Sequence, residues 1–140
     1  MKKYLLLAVI ALSIIGLFVF KNPILNRFQT PVKTVQPENK IAVTLNLEYE
    51  DKTVKSFNYT TTNDETVFSV LKNVAEREKI NLETKQYDFG VFVQKIDKSE
   101  STAKNAWIYY VNGESGQIAA DQYKVKDGDN ITWKFEPVKY

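Results

Sequence analysis

A chain of 140 residues without a single histidine or cysteine lacks the imidazoles and thiolates on which most nucleophilic catalysis and soft-metal sites are built. Its formal charge of +2 is unevenly distributed: residues 1–37 hold five basic side chains and no acid, leaving 14 basic against 17 acidic residues in the remainder. The acidic balance of that larger part argues against a nucleic-acid footprint.

Residues 4–20 contain no charge and are nearly all Leu, Ile, Val, Ala and Phe, with Lys2 and Lys3 before them and Lys21 after. Such a run sits at the lower edge of a membrane-spanning length, and the flanking lysines can extend it by snorkelling. A cleavable signal peptide shares the positive start and apolar middle, but Leu17-Phe18-Val19-Phe20 offers no small-x-small cleavage pattern. The expected organisation is a signal anchor over 1–22, a linker over 23–39 carrying Pro23, Pro31 and Pro37, and one domain over 40–140. Two lysines ahead of the span place the amino terminus inside, and the domain outside the cytoplasmic membrane as a single-pass protein, or secreted if the segment is cleaved.

Ile41, Val43, Leu45, Leu47 and Tyr49 alternate with polar residues, predicting a strand with one buried face. Phe57 and Tyr59 continue the alternation on a returning strand after the polar turn at residues 50–52. Thr62 followed by Glu65 has the spacing of a capping box, so a helix is expected over 63–78, with Val67, Val70, Leu71, Val74 and Ala75 as its apolar stripe and Asn81 near its end. Leu82 opens a connecting segment to the aromatic run at residues 87–93, in which Gly90 marks a bulge or a close backbone approach. Residues 97–104 read as a charged loop.

The stretch 105–118 carries the strongest local signal. Trp107, Tyr109 and Val111 share one face, Ile108 and Tyr110 the other, and Asn112-Gly113 supplies a tight hairpin turn. A core strand accounts for most of these side chains, and a ligand-facing role for the rest. Residues 125–129 form a turn rather than a calcium loop, which needs more oxygen ligands. Ile131, Trp133 and Phe135 make the last strand.

This order predicts an α+β domain in which one helix packs on a four- or five-stranded mixed sheet. In a β-grasp arrangement the first and last strands lie side by side in parallel, bringing Val43 and Leu45 to Ile131 and Trp133. Phe89-Gly90-Val91-Phe92-Val93, the segment from Trp107 to Gly113, Ala120-Asp121-Gln122-Tyr123 and Val125-Lys126-Asp127-Gly128-Asp129 together resemble the DUF4430 family, itself similar to the C-terminal β domain of transcobalamin and intrinsic factor. In those cobalamin carriers the domain closes over a corrinoid held mainly by a separate helical barrel, of which this chain contains nothing. The resemblance implies a β-grasp-like, usually extracytoplasmic domain, with contacts on Trp107, Tyr109, Tyr110, Asn112, Gly113 and the following loop, including Ser115 and Gln117. Phe89 joins this set as an aromatic in the neighbouring segment.

The function expected is a non-enzymatic, membrane-tethered ligand-binding or protein-interaction module, with a structural accessory role in a cell-surface assembly as the alternative. No cofactor or metal is expected from the residues themselves; cobalamin or another corrinoid enters only through the resemblance. A protein partner or a corrinoid-carrier subunit is the partner class.

Overall fold

Among the described residues nine elements follow in chain order: β1 (Lys40–Glu48), β2 (Val54–Thr62), α1 (Val67–Glu78), β3 (Leu82–Tyr87), β4 (Gly90–Ile96), β5 (Ser99–Glu100), β6 (Asn105–Val111), β7 (Glu114–Ser115) and β8 (Asn130–Pro137). The computed structural model describes residues 39–62 and 64–138. The expected membrane span at 1–22, and all but Asn39 of the expected linker, lie outside the described residues. Among the described residues no helix is long and apolar enough to cross a membrane.

The alternation in β1 becomes a buried face of Ile41, Val43, Leu45 and Leu47, while Thr44, Asn46 and Glu48 face outward. Strand β2 returns antiparallel, with Tyr59 opposite Val43 and Phe57 opposite Leu45. Strand β8 lies parallel to β1 on its other side, so the first and last strands are neighbours, as the β-grasp arrangement requires. In their register Leu45 meets Ile131 and Leu47 meets Trp133. Backbone bonds at the entry to β8 set this, since Gly128 N–H donates to the Ala42 carbonyl at 2.8 Å and Thr44 N–H to the Asp129 carbonyl at 3.0 Å. Strands β6 and β7 complete a five-stranded mixed sheet in the order β2-β1-β8-β6-β7.

Helix α1 covers the inner face of this sheet with the stripe the sequence predicts: Val67, Val70, Leu71, Val74 and Ala75 are all buried. Its start differs from expectation. Thr62 ends β2, paired with Lys40, and the capping box is Thr66 with Ser69: the Thr66 side chain accepts from Ser69 N–H at 3.2 Å, while Ser69 Oγ accepts from Thr66 N–H at 2.7 Å. At the other end Lys79 turns left-handed (φ 58°), and Ile80 N–H reaches back to the Ala75 carbonyl at 2.8 Å, closing the helix without Asn81.

In a second sheet, β3-β4-β5, the strand expected in the aromatic run and its extension to Ile96 is β4, while β3 and β5 occupy the regions expected to be connecting segment and loop. Five of the six residues of β3 are exposed, so pairing with β4 rather than burial orders it. Val93 and Ile96 of β4 enter the common core. Trp107 fastens the two sheets, its indole N–H donating to the Ser99 carbonyl at 2.9 Å and its ring meeting Tyr49 edge-on at 5.5 Å.

Leu45 sits at the centre of these layers, fully buried and flanked on both sides by paired strands. Leu45→Ala is expected to cost about 3 kcal/mol through lost burial and the cavity left behind. Urea unfolding checks this as a lowered midpoint with an unchanged slope.

Candidate functional site

Strand β6 places its residues by parity. Trp107 and Tyr109 face inward and are 3% and 7% exposed, so neither reaches the surface of the described domain. Tyr109 acts instead as the seat of the next loop: its hydroxyl donates to the Ile118 carbonyl at 2.7 Å, and a side chain at Gly116 would collide with its ring, since a Cβ there would fall 1.9 Å from Cζ. The glycine at 116 is therefore required by a close approach.

Tyr110 faces the outer side of the sheet and is half-buried. Its hydroxyl donates to the Glu136 carboxylate, and Lys134 Nζ lies 5.0 Å from its ring centroid. Lys134 in turn pairs with Glu48 at 3.5 Å. The Glu136 hydrogen bond, reinforced by burial and by the charges of Glu136 and Glu48, pushes the Tyr110 phenol up from 10.0 to about 12.

The turn after β6 has the geometry its sequence predicts, with Asn112 and Gly113 both at positive φ (53° and 87°). Asn112 is exposed but already engaged. Its amide nitrogen donates to Asp129 at 2.9 Å, and its side-chain oxygen accepts from Asn130 N–H at 2.9 Å. Ser115 and Gln117 are exposed on the loop beyond, where Gln117 donates to the Ser115 carbonyl at 3.0 Å.

Phe89 occupies a different setting. It stands at the tip of the β3–β4 hairpin, 69% exposed, stacked on Tyr87 with centroids 5.1 Å apart and planes 6° from parallel. Lys85 Nζ lies 5.0 Å from the Tyr87 ring on the same strand. Gly90, next in sequence, has φ 133° and no room for a side chain, since a Cβ there would come within 2.3 Å of Ala119 Cβ and 2.7 Å of Asp121 Oδ1. This close approach, one of the two roles expected of Gly90, brings the hairpin tip against the loop seated on Tyr109. Tyr87, Phe89 and Ile118, the last 51% exposed, are thus carried on two abutting segments as an apolar rim. Of the expected contact residues, Phe89, Ser115 and Gln117 belong to these segments, Tyr109 supports the loop from inside, and Trp107 packs in the core away from it. Sequence reasoning missed Tyr87 and Ile118 as exposed members.

A concavity of about 810 Å³ lies elsewhere, lined by Tyr49, Lys55, Asn81, Asp97 and neighbouring polar residues, and includes none of the expected contact residues. Asp97 accepts from Lys55 Nζ at 2.8 Å and from the Tyr49 hydroxyl at 2.6 Å. Lys55 first, then Tyr49, hold the Asp97 carboxyl below its ordinary range, while burial and then Asp97 push the Tyr49 phenol above its own. Asp97, Lys55 and the Tyr49 hydroxyl thus satisfy one another. Among the described residues no three acidic side chains gather as metal ligands would.

Tyr110 supplies a test of the outer-face geometry. A phenol kept protonated in the fold favours the folded state below pH 10, and that contribution fades as the pH rises toward 12. In Glu136→Gln the Tyr110 ionisation is expected to move down toward 10.0, followed as phenolate absorbance against a Tyr110→Phe control; an unchanged titration would show that Glu136 does not govern it.

Comparison with known proteins places this architecture. A crystal structure of a candidate metal binding protein from Ruminococcus gnavus ATCC 29149 superposes with a TM-score of 0.58 at 23% identity, over 71% of this chain and 99% of that one. The crystal structure of haptocorrin in complex with Cbi superposes with a TM-score of 0.67 at 17% identity, over 74% of this chain but 27% of haptocorrin. At such identities the likeness is one of fold, and fold alone does not assign a ligand. No curated protein matches the chain by sequence. Residues 64–137, more than half of the chain, match the domain of unknown function DUF4430, and the chain belongs to that family.

Proposed function

We propose that the chain is a non-enzymatic binding module, tethered by its apolar amino-terminal segment to the outer face of a cytoplasmic membrane, that meets a protein partner through the Tyr87–Phe89 tip and the loop beside it. The observation that carries this reading is Phe89: a phenylalanine 69% exposed and pre-stacked on a second aromatic. Aromatic anchors of this kind provide large contact area at small conformational cost and dominate the energetics of protein interfaces. Three of the four exposed large hydrophobics of the described domain, Tyr87, Phe89 and Ile118, lie on the two segments that meet at Gly90.

A macromolecular partner suits this rim better than an enclosed small molecule. Small-molecule sites are concave and surround most of the ligand, yet neither the concavity at Tyr49 nor a second one of about 510 Å³ beside α1 includes Tyr87, Phe89 or Ile118. The fold shared with haptocorrin favours one particular version, in which the partner carries a corrinoid and this domain forms one wall of its site. The absence of histidine and cysteine from the sequence, with Asp97 and Tyr49 already paired, supports a module without catalysis.

The decisive experiment is recovery of partners from native membranes by the intact chain and by Phe89→Ala, with and without added cobalamin. Phe89→Ala is expected to weaken recovery of the specific partner at least about tenfold, as loss of a hot-spot aromatic does, while stability, read by thermal unfolding, falls by no more than about 1.5 kcal/mol, the loss of its stack on the exposed Tyr87. Equal recovery by both forms would remove the rim from the contact surface. Partner recovery that rises with cobalamin would select the corrinoid-carrying version.

A further inference from the structure

Among the described residues strand β2 is a free edge of the five-stranded sheet, and the direction of its open backbone groups follows from β1. Thr44 N–H and the Ala42 carbonyl are directed to the β8 side, bonded to Asp129 and Gly128. Backbone groups alternate in direction along a strand, so Val43, Leu45 and Leu47 are the β1 residues that bond β2, through Tyr59, Phe57 and Lys55 opposite them. The N–H and carbonyl groups of Ser56, Asn58 and Thr60 therefore point away from the sheet. Arg77 Nη2 reaches the Asn58 carbonyl at 3.5 Å, as a side chain can only if that oxygen lies on the open side.

Natural edges are blunted by proline, by bulges or by charge. This one runs from Val54 to Thr62 with an unbroken register against β1 and no proline. Its one charge, Lys55, is drawn off to Asp97. The opposite edge of the sheet, β7, is two residues long.

We propose that β2 pairs antiparallel with β2 of a second copy about a two-fold axis at Asn58, joining the two five-stranded sheets into one. Asn58 is the midpoint of the strand, so this register gives the greatest overlap, with about six new backbone hydrogen bonds, two at each of the three pairs that Ser56, Asn58 and Thr60 form. The sequence around it is a chemical palindrome. Ser56 meets the partner's Thr60, Phe57 meets the partner's Tyr59, and Asn58 meets its own equivalent: hydroxyl on hydroxyl, aromatic on aromatic, amide on amide. Phe57 and Tyr59 are half-buried and packed against the edge of the core, with the Arg77 guanidinium 5.7 Å from the Tyr59 ring centroid, so both rings keep surface that a partner strand would cover. Lys55 falls opposite the partner's Thr61, and no like charges face each other along the strand. Arg77 lies near the axis, where the Glu78 carboxylate 2.8 Å from its Nε supplies the opposing charge as the guanidinium leaves Asn58. This self-matching is what selects a second copy over an unrelated strand, and the surface is separate from the Tyr87–Phe89 rim.

The chain has no cysteine, so single substitutions report pairing without background. In the purified 140-residue chain, Asn58→Cys is expected to give the strongest oxidative dimer. Ser56→Cys and Thr60→Cys should cross-link weakly alone and strongly when combined in one chain. Asn58→Pro removes an N–H that the internal ladder does not use, so it should yield a monomer by sedimentation with its thermal unfolding retained. If proline disturbs folding, charge reports instead: S56E/T60E sets like charges opposite each other and should dissociate the dimer, whereas S56K/T60E sets opposite charges and should restore it. A chain that sediments as a monomer, cross-linking strongest at a position other than 58, or Asn58→Cys captured in cells only on a different protein would each overturn the proposal.

Discussion

The parallel pairing of β1 with β8 is the constraint on which the domain rests, because it joins residues some 85 positions apart in sequence. No hairpin can make such a contact; the intervening chain must fold around it. The turn before β8 fixes where it occurs. Asp127 accepts from Ala42 N–H at 2.8 Å, Gly128 N–H donates to the Ala42 carbonyl, and the buried Asp129 carboxylate accepts from Lys126 N–H at 2.8 Å and from Asn112. Asn112 brings the β6–β7 turn to the same corner, its N–H donating to the Asn130 carbonyl at 2.8 Å. One corner thereby sets three strands in register and decides that Leu45, Leu47, Ile131 and Trp133 all turn toward α1.

From that register the division of labour among the aromatic residues follows. Trp107, Tyr109, Trp133 and Phe135 pack inside, with Tyr109 and Trp133 centroids 5.6 Å apart and Trp107 and Phe135 5.4 Å apart. Tyr109 then lifts the loop that bears Ile118, and the side-chain-free surface of Gly90 lets the β3–β4 tip close against it. The exposed aromatics are thus held up by buried ones. A contact surface built this way is ordered before any partner arrives, which lowers the entropic cost of binding.

The parts of this fold legible in the sequence are those where burial imposes a period. Alternation revealed β1, β6 and β8, and the spacing of Val67, Val70, Leu71, Val74 and Ala75 revealed α1, because one face of each must avoid water. Strand β3 left no such trace, since Leu-Glu-Thr-Lys-Gln-Tyr is exposed at every position but the first. The helix cap was misplaced by one turn because Thr62 and Thr66 carry equal local chemistry, and only the pairing of Thr62 with Lys40 excludes the first. In the candidate site, Phe89 and Val91 look alike in an aromatic run, yet the turn at Asp88–Phe89 leaves the first in solvent. Contacts such as Tyr49 with Asp97 and Tyr110 with Glu136 join residues 48 and 26 positions apart, and no local pattern encodes them.

The outer face of the sheet explains why both proposed contacts lie at the perimeter. Ser56 Oγ donates to Asn46 Oδ1 at 2.6 Å, Asn46 Nδ2 donates to Asn130 Oδ1 at 2.6 Å, and Thr44 Oγ1 donates to Asn58 Oδ1 at 3.4 Å. With Lys134 on Glu48 and Tyr110 on Glu136, this polar face satisfies much of its own hydrogen bonding, so a ligand laid on it would exchange existing bonds for similar ones at little net gain. Surplus capacity remains at two places of different chemistry: apolar side chains at the Tyr87–Phe89 rim, and unpaired backbone groups along β2. A side-chain change at Phe89 leaves the edge backbone untouched, and a proline at Asn58 leaves the rim aromatics untouched. The two proposed surfaces would therefore bind independently, and two copies joined at β2 would present two rims to a partner.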